Sequence, residues 1–358
     1  MQQERKMSPT KRMPIFDVAK ALLILLVFWF HVPQIYIGWH QGTNETILAI
    51  NNANLQSFVP FFMVAFFVIS GYFLNTTKSL WQVTKRDFLT ILVPAIFISV
   101  ISNFLYTIWP YNAVPRFSNY LTINYWNTSL GYWFLTALFI AKFILQLLVR
   151  YVKKTPIIVT ISLCLCVLGL MMKTQFVTIP NCVFYKEALL MSPMILLGYI
   201  CKTYNYKINP AHLVYPALGY IITITLLWVY NNSITGFHLG SSFSLDYIPM
   251  ALWLGTSGTA LVLFIASWLE KSRLLNLIGN LTLPMFCLNF VFIEMFVKFF
   301  MPFADRGGIY AWLYMLSVFV CSTTFALGVS MLLDTRYLRW ILGRWDLTEF
   351  RQLLHHKK

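Results

Sequence analysis

Long apolar runs, mostly 17 to 25 residues each, fill this chain and are separated by short polar stretches. None shows the alternation of a half-buried strand, and each is long enough to cross a bilayer as a helix. The pattern predicts ten helices, at 15–36, 57–74, 88–109, 131–149, 156–172, 185–200, 212–230, 247–268, 277–300 and 309–333. The first run opens with "FDVAKALLILLVFWFH", residues 16–31, which carries Asp17, Lys20 and His31 where a plain anchor would carry no ionisable group.

Composition turns this pattern into a membrane assignment. Of 358 residues, 58% are hydrophobic and only 11% charged, and the mean hydropathy is +0.67. An average soluble domain is about a quarter charged. Backbone polar groups in lipid must be satisfied internally, which leaves helices or a closed barrel, and the run lengths select helices. The predicted fold class is therefore all-α, a polytopic membrane helix bundle with both termini cytoplasmic. Three segments follow: a basic N-terminus (1–14), a membrane domain (15–333) and a basic tail (334–358) expected to lie on the inner leaflet as an amphipathic helix.

The net charge of +15 is explained by topology. With a cytoplasmic N-terminus, 20 of the 27 Lys and Arg fall in inner segments, as the positive-inside rule requires. This distribution excludes a nucleic-acid binder. The first run is too long, and too charged at Asp17 and Lys20, for a cleavable signal peptide. The six cysteines are scattered, with Cys182 alone in an outer loop, so neither a disulfide framework nor a metal site is expected.

Ionisable groups inside a span are costly and point to function. Lys20 and His31 are eleven residues apart, so they project within about 20° of each other and about 16 Å apart along the axis. Asp17, three residues before Lys20, can pair with it. In "FFVISGYFL" (66–74), Ser70 offers a hydroxyl and Gly71 permits close backbone approach. In "TKRDF" (84–88), Lys85 and Arg86 suit an anion such as phosphate. In "GYWFLTALFIAK" (131–142), Tyr132 and Trp133 fit an interfacial aromatic pair, whereas Lys142 lies deep and lacks an acid in its own helix. Glu294 is its expected partner. Glu187 and Asp246 fall near outer helix ends, where solvation is expected. No Walker, dinucleotide-binding, zinc or nucleophile-elbow motif occurs.

Taken in order, these residues resemble the acyltransferase-3 family, integral membrane O-acyltransferases that modify bacterial polysaccharides and related glycans. The resemblance lies in Lys20 through His31, in Phe66-Phe67-x-x-Ser70-Gly71, in Arg86, and in Trp133-Phe134-Leu135. "FDVAK" is similar to the branch of fucose-type sugar O-acetylases. Three positions depart from the family pattern: Lys20 where arginine is commoner, Leu89 where a second basic residue is usual, and Asn289 in "LTLPMFCLNF" where many relatives have histidine.

The resemblance implies acyl transfer, with acetyl-CoA or another acyl-CoA as co-substrate and no permanently bound cofactor. The acceptor is expected to be a hydroxyl of a cell-surface glycan or its lipid-linked precursor, and the location the bacterial cytoplasmic membrane. His31 would be general base or acyl relay, with Asp17 and Lys20 beside it. Lys20, Lys85, Arg86, Ser70 and Gly71 would bind the donor, and Trp133, Tyr132, Lys142 and Glu294 the acceptor. A stand-alone transferase, without an appended hydrolase-like domain, is expected. The rival reading is a polytopic transporter or flippase of a glycolipid or small solute, although no inverted or parallel repeat is visible.

Overall fold

A computed structural model describes residues 13–39, 44–108, 133–152, 154–173, 184–206, 209–230, 248–304 and 306–343. Their regular structure is entirely helical, an all-α bundle without strands among the described residues. The order is α1 (Pro14–Trp39), α2 (Glu45–Ser57), α3 (Phe62–Tyr72), α4 (Leu80–Asp87), a π-helical turn (Phe88–Leu92), α5 (Val93–Ile108), α6 (Trp133–Tyr151) and α7 (Thr155–Lys173). It continues with α8 (Tyr185–Leu190), α9 (Ser192–Thr203), α10 (Pro210–Val229), α11 (Ile248–Leu269), α12 (Arg273–Asn280), α13 (Thr282–Ala304) and α14 (Ile309–Leu333).

Eight stretches among the described residues are long and apolar enough to cross a membrane. They correspond to eight of the ten predicted runs, with α2 and α3 forming one stretch over 45–72. The other two runs are broken helices. In the third, Pro94 can donate no hydrogen bond to Thr90, and the chain adopts the π turn, with the Val93 N–H bonded to the Phe88 carbonyl. In the sixth, Pro193 follows Met191 and Ser192, where α8 ends and α9 begins. The ninth run is also divided, at Leu281, into α12 and α13.

Helix α1 is the hub. Val18, Leu23, Ile24, Val27 and Phe28 are fully buried, and the helix packs against α2, α3, α11, α12, α13 and α14. By contrast α10 turns Tyr215, Ile222, Leu226 and Trp228 outward, as a lipid-facing helix would. Two close approaches fix the layout. Gly71 and Gly198 sit so tightly that a Cβ on either would strike the other helix's backbone, at Ile195 and Val68 respectively. A Cβ on Gly279 would strike the Asp17 carbonyl, which locks α12 under the start of α1.

The carboxyl ends of α3, α6 and α9 gather on one side. Lys202 donates to the Leu74 carbonyl at 2.8 Å, Gln146 to the Asn75 carbonyl at 2.7 Å, and Arg150 to the Lys78 carbonyl. This is the side that the charge pattern assigns to the cytoplasm. The tail departs from the expected amphipathic helix as far as it is described. Arg339–Leu342 form a 3₁₀ turn instead, with Ile341 and Leu342 buried and Trp340 edge-on to Phe97 at 5.5 Å. Gly343, at φ 66°, closes the turn against the Leu89 carbonyl with no room for a Cβ. Residues 344–358 and the outer loop 110–130 lie outside the described residues.

Candidate active site

The site is built on the seam between α1 and the α12–α13 pair. Asp17 and Lys20 form the expected ion pair, Nζ to Oδ1 at 2.8 Å. Held in this way, Lys20 borders a cavity of about 200 Å3. Ser70 enters it from α3, Ile91 from the π turn, Phe134, Leu135 and Leu138 from α6, and Gly279, Asn280, Thr282, Leu283 and Phe286 from the opposite wall. Lys20, Phe66, Ser70, Phe134 and Leu135, five of the residues that carried the resemblance, therefore meet around one space, although they are separated by up to 115 positions in the chain.

His31 lies farther along the same seam. Its ring packs on Phe290 of α13, with centroids 4.6 Å apart, and against Phe30 at 5.1 Å. Phe286 lines the cavity and Phe290 meets His31, so a stripe one turn apart on α13 faces the Lys20–His31 stripe of α1. The alignment expected from helical geometry is thus matched by a single facing helix. His31 Nδ1 lies 3.0 Å from Gln34 Oε1. An amide oxygen accepts, so Nδ1 is the nitrogen that donates in this contact, and Nε2 is not engaged by Gln34.

The Ser70-Gly71 pair divides its roles. Ser70 faces the cavity, whereas Gly71 is buried against Ile195 and serves helix packing. Gly71 does not line the cavity. Trp133 opens α6. It is half-buried against the core, and its neighbour Phe134 meets Phe66, Phe67 and Phe286 at 5.2–5.5 Å. Phe66 and Phe67 lie within two turns of the α3 carboxyl end, so α6 starts at the depth of the cavity. Tyr132 lies outside the described residues.

Lys142 has a partner that sequence reading missed. Its Nζ is 2.8 Å from Asp87 Oδ2, with Asp87 buried and the Lys142 side chain only 13% exposed. Arg86 shares the same carboxylate, 3.1 Å from Oδ1, with its guanidinium half-exposed. Asp87, not Glu294, is thus the counter-ion of Lys142. Glu294 instead acts on Lys298, one turn along its own helix. Asp87 stood in "TKRDF" beside the residues singled out, and an acid at the mouth of an apolar run was the available signal. Ile91 follows it by four residues and Leu138 precedes Lys142 by four, and both line the cavity, so this pair sits next to its floor. Lys85 is exposed on α4. Glu187 is buried in α8 rather than solvated, and Asp246 lies outside the described residues. No cluster of His, Cys, Asp and Glu able to hold a metal ion occurs among the described residues.

The groups available are a cation and a hydroxyl at one end of the seam and an imidazole about 16 Å along it. Comparison with known proteins adds one finding. A family model described as an acyltransferase domain matches residues 13–334. No curated protein and no solved structure matches the chain.

Proposed function

The chain belongs to the acyltransferase-3 family, and from that premise we propose that this multi-pass membrane acyltransferase moves an acyl group, acetyl in the first instance, from acyl-CoA to a hydroxyl of a glycan or its lipid-linked precursor. The observation that carries the reading is the shared seam. Lys20 and Ser70 border a cavity toward the cytoplasmic end of the bundle, and His31 stands farther out on the same side of α1.

In this reading Lys20 and the half-exposed Arg86 hold the phosphates of the donor, with Lys85 adding positive charge at the mouth. The long, flexible pantetheine arm then bridges the distance from Lys20 to His31. His31 Nε2 removes the acceptor hydroxyl proton as the oxygen attacks the thioester carbonyl. A C–O bond forms and the C–S bond breaks. The sulfur leaves with the electron pair and takes the proton back from His31. General acid–base assistance of this kind contributes about 10²–10⁴-fold. The bacterial cytoplasmic membrane is the compartment where a cytoplasmic acyl-CoA and a surface-bound saccharide meet across such a protein.

The test is glycan mass spectrometry on cells carrying the intact protein or the His31→Ala variant, at matched membrane levels. An acetyl mass increment that depends on His31 is the expected result. Unchanged acetylation in the variant would reject the role of His31. Solute flux without any covalent change would mark a transporter instead.

A further inference from the structure

We propose that Phe134 is a specificity-determining residue, the movable member of an aromatic gate that passes unbranched acyl groups and holds back branched ones. The inference rests on the acyl-transfer reading above, in which the acyl end of the donor travels from the Lys20 cavity to His31.

The seam is stepped in three levels, because residues i and i+4 stand about 6 Å apart along a helix. At the first level Lys20, Ser70 and Thr282 border the cavity. At the third, Phe62 meets Phe30 with ring centroids 5.4 Å apart, and Phe290 meets His31. Between these levels Phe66 of α3 and Phe286 of α13 wall the cavity. Phe134 reaches across the middle level from α6, 5.5 Å from the Phe66 ring and 5.2 Å from the Phe286 ring. On α1, Ile24 and Val27 share the stripe of Lys20 and His31, stand between them, and are fully buried. All three phenylalanines are buried as well. Apolar side chains therefore close the middle level, with the cavity on one side and the imidazole on the other.

A thioester cannot reach His31 through this closed level, so a side chain has to move. Phe134 is placed to do so, as the second residue of α6. Ile24, Val27, Phe66 and Phe286 sit at least four residues inside their helices. The first turn of a helix holds N–H groups without intrahelical partners, and helix ends open at far lower cost than helix interiors.

The width of the opening follows from the donor. With the thioester at His31, about 16 Å from Lys20, the stretch of arm at the ring level is the unbranched part of pantetheine. Its paired methyl groups stand next to the phosphate end and stay at the cavity. An opening that admits an unbranched chain therefore suffices, and any wider group has to displace rings packed at core density. A straight acyl chain is no wider than the arm behind it, so the gate does not read length. It reads a branch next to the carbonyl.

The experiment supplies full-length protein, in membrane vesicles that retain the endogenous acceptor, with acyl-labelled acetyl-, n-butyryl- or isobutyryl-CoA. The two butyryl isomers contain the same atoms and differ in shape. For the unaltered protein, kcat/KM should favour n-butyryl-CoA at least about tenfold, the low end of what one misplaced carbon costs in an apolar site. Phe134→Ala should raise the isobutyryl value until the isomers lie within about threefold of each other, and Phe134→Leu should fall between. Phe286→Leu widens the gate from the opposite wall and should move the ratio the same way, which keeps the test open where Phe134→Ala does not accumulate. An unaltered protein that takes both isomers equally, or refuses both, overturns the proposal. So does a uniform loss of rate for all three donors in the Phe134 variants, since that reports packing alone. His31→Ala is run in parallel with acetyl-CoA. If it is inactive while the gate variants leave the isomer ratio unmoved, only this inference fails. If His31→Ala is active, the underlying reading fails.

Discussion

Two faces of α1 border two very different spaces. On one side Lys20 meets a cavity of about 200 Å3 that also receives Ser70, Asn280 and Thr282. On the other, Leu22, Leu25, Leu26 and Trp29 border a crevice of about 600 Å3, walled by α10, α11, α14 and the corner before α3. The larger space has little chemistry to offer. Tyr220 donates to the Ser57 carbonyl at 2.7 Å and Thr225 to the Ile221 carbonyl at 2.8 Å, so these hydroxyls are already used within the protein. The smaller space has the Lys20 cation and the Ser70 hydroxyl at its walls, with the His31 imidazole farther along the seam, while its Thr282 hydroxyl is bonded to the Gly279 carbonyl. Volume ranks these two spaces in one order and available chemistry in the reverse, and a group-transfer reaction follows the chemistry.

The sharpest way to break this comparison is His31→Ala, expected to lower transfer by at least about 10²-fold while membrane levels stay normal. Rates of acetyl incorporation in vesicles decide it, and near-normal turnover would remove His31 from the reaction. Next comes Lys20→Met, which removes a charge-assisted contact worth about 1.5–3 kcal/mol and should raise the KM for acyl-CoA at least about tenfold. Lys20→Arg should retain most of the affinity, since the charge is kept.

The Asp87–Lys142 pair tests the frame rather than the chemistry. Asp87→Leu leaves Lys142 buried without its counter-ion, and loss of one partner of such a pair costs about 3–5 kcal/mol. Thermal unfolding in detergent should show this loss, and the double change Asp87→Leu/Lys142→Met should restore much of it. A double variant as unstable as the single one would refute the pairing. The smallest effect belongs to the other face of α1. Leu26→Phe or Ile224→Phe, which narrow the large crevice, should leave transfer rates within about twofold. A large loss there would give the crevice a part in catalysis.

Much of the bundle was legible in the chain. Run length marked the spans, and charge marked one side, where Lys202, Gln146 and Arg150 now meet the chain after α3. The breaks at the π turn and at Met191 were not legible, because a proline within an apolar run can kink, end or leave a helix continuous depending on what packs beside it. The site was half legible. Lys20, His31 and Asp17 lie within one helix, whose period is known in advance, so their mutual geometry followed from counting. The depth at which Trp133 and Phe134 sit depends on how α6 meets α3, which no local period encodes. Charge alone offers Glu294 to Lys142, whereas the packing of α4 against α6 gives that role to Asp87.

What the sequence determined by itself was local: helical class, the side bearing positive charge, and the shared stripe of Lys20 and His31. A helix repeats every 3.6 residues whatever surrounds it, so these properties need no tertiary information. The tertiary structure alone decided that α13 faces that stripe, that Ser70 points to the cavity while Gly71 packs on Ile195, and that Phe134 meets Phe66 and Phe286. These depend on which helices touch, across separations of a hundred residues or more, and no local period encodes such contacts.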